Sequence, residues 1–264
     1  MTSESERPIP DEVREGKEQE RELDISRIDP EDRDGIEAYY KFEVDHGFSE
    51  IDPKKTTLDG MVDFRQTQMR EEKLKVAVAN EGDELVATSV VVLENGTMGK
   101  EMGEDEAYAA GTVVMDGKRG GGIGEKMAAE QDKIAREAGK KSMVTVITNT
   151  NHPSMRLRMK TGYRLEGVEY RADEVNYKYR KDLTGETEES IDWVVEVADG
   201  RLNQYSGDFD STAPDQILID PENQGAVEVA IEQGYQGMHL LRPEDFNKGN
   251  EGATIEKNMV VFGR

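Results

Sequence analysis

The chain contains no cysteine. That excludes disulfides, cysteine-ligated zinc, iron–sulfur clusters and thiol catalysis. It also has no apolar run approaching the about 18 residues that a membrane helix needs, so no membrane span is expected. The first residues, Met1-Thr-Ser-Glu-Ser-Glu-Arg7, lack the basic and apolar regions of a signal peptide, and a cytoplasmic location is the expectation. His46 and His239 stand alone without ligand spacing, so no metal is expected. Positive charge is scarce: 34 Lys and Arg face 57 Asp and Glu, a net −23 over 264 residues. Binding to nucleic acid or an anionic membrane needs a positive face, so neither partner is expected.

The acidity itself reads as adaptation to concentrated salt, a halophile-like composition, because acid is spread over the whole chain and aromatics make up only 6%. Apolar residues at 35% still suffice for a globular core. Residues 1–22 carry eight acids, four bases and two prolines, and read as a disordered acidic tail. Residues 23–183 read as one α/β domain. It starts with a strand at Leu23–Ile28, a helix entered at Asp29-Pro30 and closed at Gly47, and a helix over about 56–71. A hairpin follows, Leu74–Ala79 and Glu84–Leu93, turned at Asn80-Glu-Gly-Asp83. A strand at Ala107–Met115, a helix at Gly124–Gly139, a strand at Met143–Thr148 and a short helix at Pro153–Thr161 come next. Two strands, Tyr163–Tyr170 and Val175–Lys181, complete the domain. The acidic stretch Thr184–Glu189 reads as a hinge, and residues 190–264 as a smaller C-terminal α/β domain with strands near 191–197, 216–219 and 257–262 and a helix near 223–233.

One stretch carries chemistry. Between a strand and a helix the chain reads Val114-Met-Asp-Gly-Lys-Arg119-Gly-Gly-Gly-Ile-Gly124. Neither the P-loop pattern nor the dinucleotide fingerprint fits it. What remains is Arg-x-x-Gly-x-Gly, with Arg119, Gly120, Gly121, Gly122, Ile123 and Gly124. Small residues there expose consecutive backbone N–H groups at a helix N-terminus, whose dipole favours a pyrophosphate. From 117 to 164 there are 11 bases and four acids inside an otherwise acidic chain. A polyanionic ligand is therefore expected, with Lys133, Arg136 and Lys140 read as solvated helix faces.

This segment and its element order resemble the GCN5-related N-acetyltransferases, the GNAT family. A second motif, Asn151-His-Pro-Ser154-Met-Arg-Leu157-Arg158-Met-Lys160-Thr-Gly162-Tyr163, fits the same family 32 residues downstream of Arg119. The resemblance covers about residues 23–182. It implies an α/β fold with a mixed central sheet, acetyl-CoA as acyl donor and a primary amine of a small molecule or protein as acceptor. It also implies that the fourth and fifth strands splay, that the Val114 backbone meets the pantetheine arm, that Arg119–Gly124 holds the pyrophosphate and that Asn151 contacts the cofactor.

Two catalytic residues are carried over with departures. The position often held by a Tyr acid is Arg158, which stays protonated and can stabilise a thiolate only by charge. The family's usual base position falls at Glu104–Glu106, and Glu106 is chosen because it borders the strand; burial raising its pKa would suit a base. The alternative to an enzyme is a non-catalytic acyl-CoA-binding, regulatory or structural protein on the same fold. In the C-terminal part, Asn223…Gly234-Tyr235 echoes Asn151…Gly162-Tyr163. A generic strand–helix–strand and a degenerate GNAT-like half both remain open for it. Covering the substrate cleft and building a homodimer are the roles considered.

Overall fold

The structure, a computed structural model, describes residues 22–47, 57–171, 174–185, 216–249 and 254–263. The tail reading for 1–22, the strand near 191–197 and most of the hinge fall outside these residues.

Runs of small and β-branched residues form one mixed sheet. Strand β1 (Leu23–Arg27) lies at one edge, beside the hairpin β2 (Leu74–Glu81) and β3 (Glu84–Val92). Then come β4 (Glu106–Val114), β5 (Ser142–Thr148), β6 (Arg164–Arg171) and β7 (Glu174–Asp182). Strands β8 (Gln216–Ile219), β9 (Gln236–Leu241) and β10 (Met259–Gly263) extend the same sheet. The spatial order is β1-β2-β3-β4-β5-β7-β6-β9-β10-β8. The β4–β5 pair is parallel, whereas the hairpin and edge pairs are antiparallel.

Helices cover both faces. Helices α1 (Arg33–Asp45) and α2 (Leu58–Arg70) start at side-chain caps, Asp32 accepting from Gly35 N at 2.9 Å and Thr57 from Gly60 N at 3.1 Å. Their buried residues Ile36, Tyr39, Val62 and Met69 pack on Val76, Val90, Tyr108 and Val144 of the sheet. Helices α3 (Ile123–Glu137) and α4 (His152–Lys160) cover the other face through Ile123, Met127, Met155 and Met159.

The C-terminal elements share that second core. Ile217, Ile219, Val227, Tyr235, Leu240 and Phe262 belong to the same cluster as Met155, Tyr163 and Tyr179. Helix α5 (Gln224–Glu232) was expected, but the short helix α6 (Pro243–Gly249) was not. Its sequence, Pro-Glu-Asp-Phe-Asn-Lys-Gly, is too short for helical periodicity to show.

The C-terminal elements repeat an earlier topology. Strands β5-α4-β6-β7 pair in the order β5-β7-β6, and β8-α5-β9-β10 pair in the order β8-β10-β9. Asn151 and Asn223 cap the two helices in the same way, accepting from Ser154 N and Ala226 N. Gly162 and Gly234 both take a left-handed φ, at 92° and 85°, and the tyrosines after them are buried. Corresponding positions lie 72 residues apart. The two sets join edge to edge where Leu165 of β6 pairs with Gly237 of β9, and these two positions are also 72 apart. A pseudo-two-fold axis therefore passes beside this residue pair. Helix α4 packs against β9 and α5 against β6, as such symmetry requires.

The junction leaves no room for a side chain at Gly237, where a Cβ would lie 2.8 Å from the Leu165 Cβ. Gly237→Ala is expected to cost about 1–3 kcal/mol by overpacking. Gly225, on α5 with open space around its Cβ position, serves as the control: Gly225→Ala should be neutral or gain up to about 1 kcal/mol. Urea unfolding of the two variants checks this.

Candidate active site

The centre of the site is a parting of strands. Strands β4 and β5 pair only at Glu106, Ala107 and Tyr108 against Ser142, Met143 and Val144. Side chains then bridge the widening gap. Thr145 Oγ1 donates to the Ala109 carbonyl at 2.9 Å, and the Val146 N–H donates to the Tyr108 hydroxyl at 3.1 Å.

A bulge in β4 reshapes one side of this gap. Gly111 takes φ 58°, and the register against β3 slips between Ala110 and Thr112. Simple alternation would put Tyr108, Ala110 and Thr112 on one face. The extra residue instead turns Thr112 to the α3/α4 face, because a one-residue slip exchanges the faces of every later side chain.

The glycine loop follows. Gly120 and Gly122 take φ 87° and 79°, so each is needed for backbone conformation. Gly122 is the N-cap of α3 and no side chain caps that end. The first-turn N–H groups therefore point outward without an intrahelical acceptor. Gly124 has a different reason to be glycine: a Cβ would lie 3.3 Å from Leu157, so it lets α3 and α4 approach. Ile123 is buried in the core, so only its backbone faces the loop.

Arg119 folds back rather than outward. Its Nε donates to the Val114 carbonyl at 3.1 Å and its Nη1 lies 2.9 Å from Asp116. The Val114 carbonyl expected to meet a cofactor arm is thus held by Arg119. Asn151 also has an unexpected duty, capping α4 through its Oδ1. Much of the basic segment is spent inside the protein. Lys160 pairs with Glu125, Lys118 with Glu81, and Arg156 with Asp245 of α6. Arg136 and Lys140 donate to the Leu183 and Glu104 carbonyls, rather than merely solvating a helix face. Lys126, on the first turn of α3, is exposed.

Arg158 does not open onto solvent. It is 4% exposed, under the sheet, with Nη1 donating to Gln131 Oε1 at 2.8 Å and Nη2 to Thr112 Oγ1 at 3.2 Å. Gln131 in turn donates to the Val90 carbonyl at 3.0 Å. The guanidinium also lies 5.2 Å from the Tyr163 ring centroid. Beside it, buried Lys181 pairs with Asp132 of α3. Burial pushes the Tyr163 hydroxyl well above its ordinary pKa, with nearby Arg158 opposing.

Glu106 is engaged by two partners, the Gly103 N–H and Arg180. Burial would raise its carboxyl, but the Gly103 N–H at 2.8 Å and the Arg180 guanidinium outweigh it and hold the group below the ordinary carboxylate range. Arg180 also binds Glu166 at 2.9 Å. Glu106 thus clamps the 103–106 turn to β7. Sequence reasoning missed Arg180 and Thr112, because long-range pairing and the bulge bring them in.

On the α1/α2 face, beside the point where β4 and β5 part, lies a cavity of about 450 Å³. Tyr108, Val146, Glu101, Glu169, Tyr170 and Lys178 line it. Its charged lining is Glu101, Glu169 and Lys178, and Lys100 Nζ lies 4.9 Å from the Tyr108 ring centroid. The C-terminal segment reaches this wall, for Glu228 and Gln224 of α5 both hydrogen-bond the Tyr170 hydroxyl. Among the described residues no three His, Asp or Glu group to hold a metal ion, and no helix is long and apolar enough to cross a membrane.

With this geometry in place, comparison shows what the chain is similar to. Residues 38–163 match the model of the acetyltransferase (GNAT) family. The yncA protein of Salmonella typhimurium, solved with its cofactor acetyl-CoA, is similar to this chain at 18% identity, covering 62% of this chain and 95% of that one, with a TM-score of 0.46. A ribosomal-protein-alanine N-acetyltransferase from Brucella melitensis is similar at 20% identity over 60% and 98%, with a TM-score of 0.46. A spermidine N-acetyltransferase chimera of Vibrio cholerae and human sequences is similar at 10% identity over 61% and 95%, with a TM-score of 0.49. No curated protein matches the chain in sequence.

The clamp reading of Glu106 gives a test. Glu106→Gln should lower stability by roughly 1–3 kcal/mol at neutral pH, the scale of a lost charged hydrogen bond. A carboxyl held below its unfolded pKa stabilises above that pKa, and the contribution is lost as pH falls through the folded value. The difference between wild type and variant in urea should therefore shrink as pH drops below about 4. A constant difference down to pH 3 would remove the clamp.

Proposed function

We propose that this chain transfers an acetyl group from acetyl-CoA to a primary amine. The observation that carries the reading is the uncapped N-terminus of α3, entered through left-handed Gly120 and Gly122, next to the gap between β4 and β5. The match of residues 38–163 to the acetyltransferase family supports the same chemistry.

The chain's residues fit such a cofactor. The N–H groups from Gly120 to Gly124 would hold the pyrophosphate, helped by the helix dipole and by exposed Lys126. Arg119 keeps the loop anchored to the end of β4 through Val114. The backbone of β4 beyond Tyr108 would line the pantetheine arm, and the amide nitrogen of Asn151 would contact it. The bound thioester supplies the activated acetyl group. The protein's part is to orient an amine in the cavity by Glu101, Glu169 and the Tyr108 wall, and to shield the gap from water. With Glu106 held by Arg180, the amine proton leaves to water rather than to that carboxylate.

We further propose an N-specific transfer to a cationic small molecule or protein amine, in a cytoplasm of high salt. A second reading is favoured by the engagement of both expected catalytic side chains, Glu106 and Arg158. It is an acyl-CoA-binding protein without turnover.

Titration calorimetry of acetyl-CoA in concentrated KCl tests the reading. Wild type should bind, and Arg119→Glu and Lys126→Glu should each lose at least about tenfold in affinity, as reversal of one charge near a diphosphate predicts. Absence of wild-type binding by a folded protein would sink both readings. Binding without acetylation of any amine in a broad screen would select the second.

A further inference from the structure

We propose that the Thr112 hydroxyl, polarised by buried Arg158, is the hydrogen-bond donor that receives the leaving thiolate. This deepens the acetyl-transfer reading and rests on it.

The observations are local. Arg158 is almost wholly buried, yet both of its hydrogen bonds end on uncharged oxygens, Gln131 Oε1 and Thr112 Oγ1. The nearby carboxylate, Asp132 on α3, is taken by Lys181 of β7. The remaining titratable neighbour is Tyr163, whose ring lies under both cations. The cluster of Arg158, Lys181 and Asp132 therefore carries one net positive charge inside the protein. An interior cation without a paired anion is costly. It lowers its cost when negative charge develops next to it, and that is what a transition-state stabiliser requires.

Thr112 connects this charge to the gap. It is half-buried, and the Gly111 bulge turns it to the α3/α4 face four residues past the last β4–β5 pair. Its Oγ1 accepts from Arg158, so its single proton is directed away from the guanidinium. A hydroxyl that accepts from a cation is a stronger donor, because successive hydrogen bonds polarise one another. Arg158 itself is covered, so Thr112 carries its field to the surface of the gap.

The step balances. The amine nitrogen bonds to the carbonyl carbon and the carbon–sulfur bond breaks. The sulfur keeps the electron pair, and two protons of the cationic amine pass to water, one before the attack to free the nitrogen lone pair and one after it. Thr112 keeps its proton and donates a hydrogen bond to the thiolate, which leaves as an anion. Thr112 would touch the reacting sulfur. Arg158 is a positioning residue that acts through it.

The test compares binding of CoA with that of dethio-CoA, which has hydrogen in place of the thiol, across pH 7 to 9.5. Wild type should prefer CoA increasingly as pH rises, by roughly tenfold at the upper end, equivalent to one unit of lowered thiol pKa. In Thr112→Val the gain should fall below about twofold, and Thr112→Ser should restore it. Arg158→Gln should behave like Thr112→Val; if it does not fold, the threonine pair decides alone. Acetyl-CoA turnover by Thr112→Val should drop by about 10²-fold in kcat with KM little changed, the scale of one lost donor to a developing anion. A preference for CoA that is flat with pH, or one that Thr112→Val retains, overturns the inference while leaving the acetyl-transfer reading intact. Failure of both CoA and dethio-CoA to bind overturns that reading and this inference together.

Discussion

Strand β4 cannot pair fully on both sides, and much of the site depends on that. Its base is locked to β5 through Tyr108 and Val144, while its upper half pairs only with β3. The Tyr108 hydroxyl and the Thr145 side chain satisfy backbone groups at the fork. Without them the opening would expose unpaired polar groups to a low-dielectric core. The fork leaves an edge of extended backbone inside the sheet, with the positive end of α3 above it. A strand edge and a helix end, both with unpaired backbone groups, thus lie side by side.

Charge is handled differently on the two faces. On the α1/α2 face the cavity has acidic walls from Glu101 and Glu169. On the α3/α4 face the interior is cationic, with Arg158 and Lys181 against Asp132. The two faces of the one gap thus differ in the sign of their charge. The surface of the chain, at −23, contributes to neither arrangement directly.

The C-terminal segment adds a second copy of the strand–helix–strand–strand pattern to the β6 edge. An exposed β6 would be a template for pairing with other chains. The chain covers that edge with its own β9, related to β6 across the Leu165–Gly237 pair. The same segment reaches the cavity wall, where α5 holds Tyr170. Edge cover and wall support are therefore one structural event.

Most elements were legible in the sequence because their signals are local. Alternation marked β1, the Asn80–Asp83 turn marked the β2–β3 hairpin, Gly47 marked the end of α1, Pro153 marked the start of α4, and glycines in sequence marked the loop before α3. The echo of Asn151…Gly162 in Asn223…Gly234 was also visible, since identical caps and turns leave identical residues. Three things were not legible. Thr112 carried no signal in the sequence, because a bulge at Gly111 changes the register without changing composition. Glu106 looked like a base by position, but Arg180, 74 residues away, decides its charge state. Arg158 looked open to a thiolate, but α3 and β4 close over it. The sequence alone determined most of the elements, the glycine loop before α3 and the acidic composition, since these follow from neighbours along the chain. Only the tertiary structure decided which carboxylate is clamped, which cation is buried and which hydroxyl that cation meets. Those outcomes depend on desolvation and pairing between residues far apart in sequence.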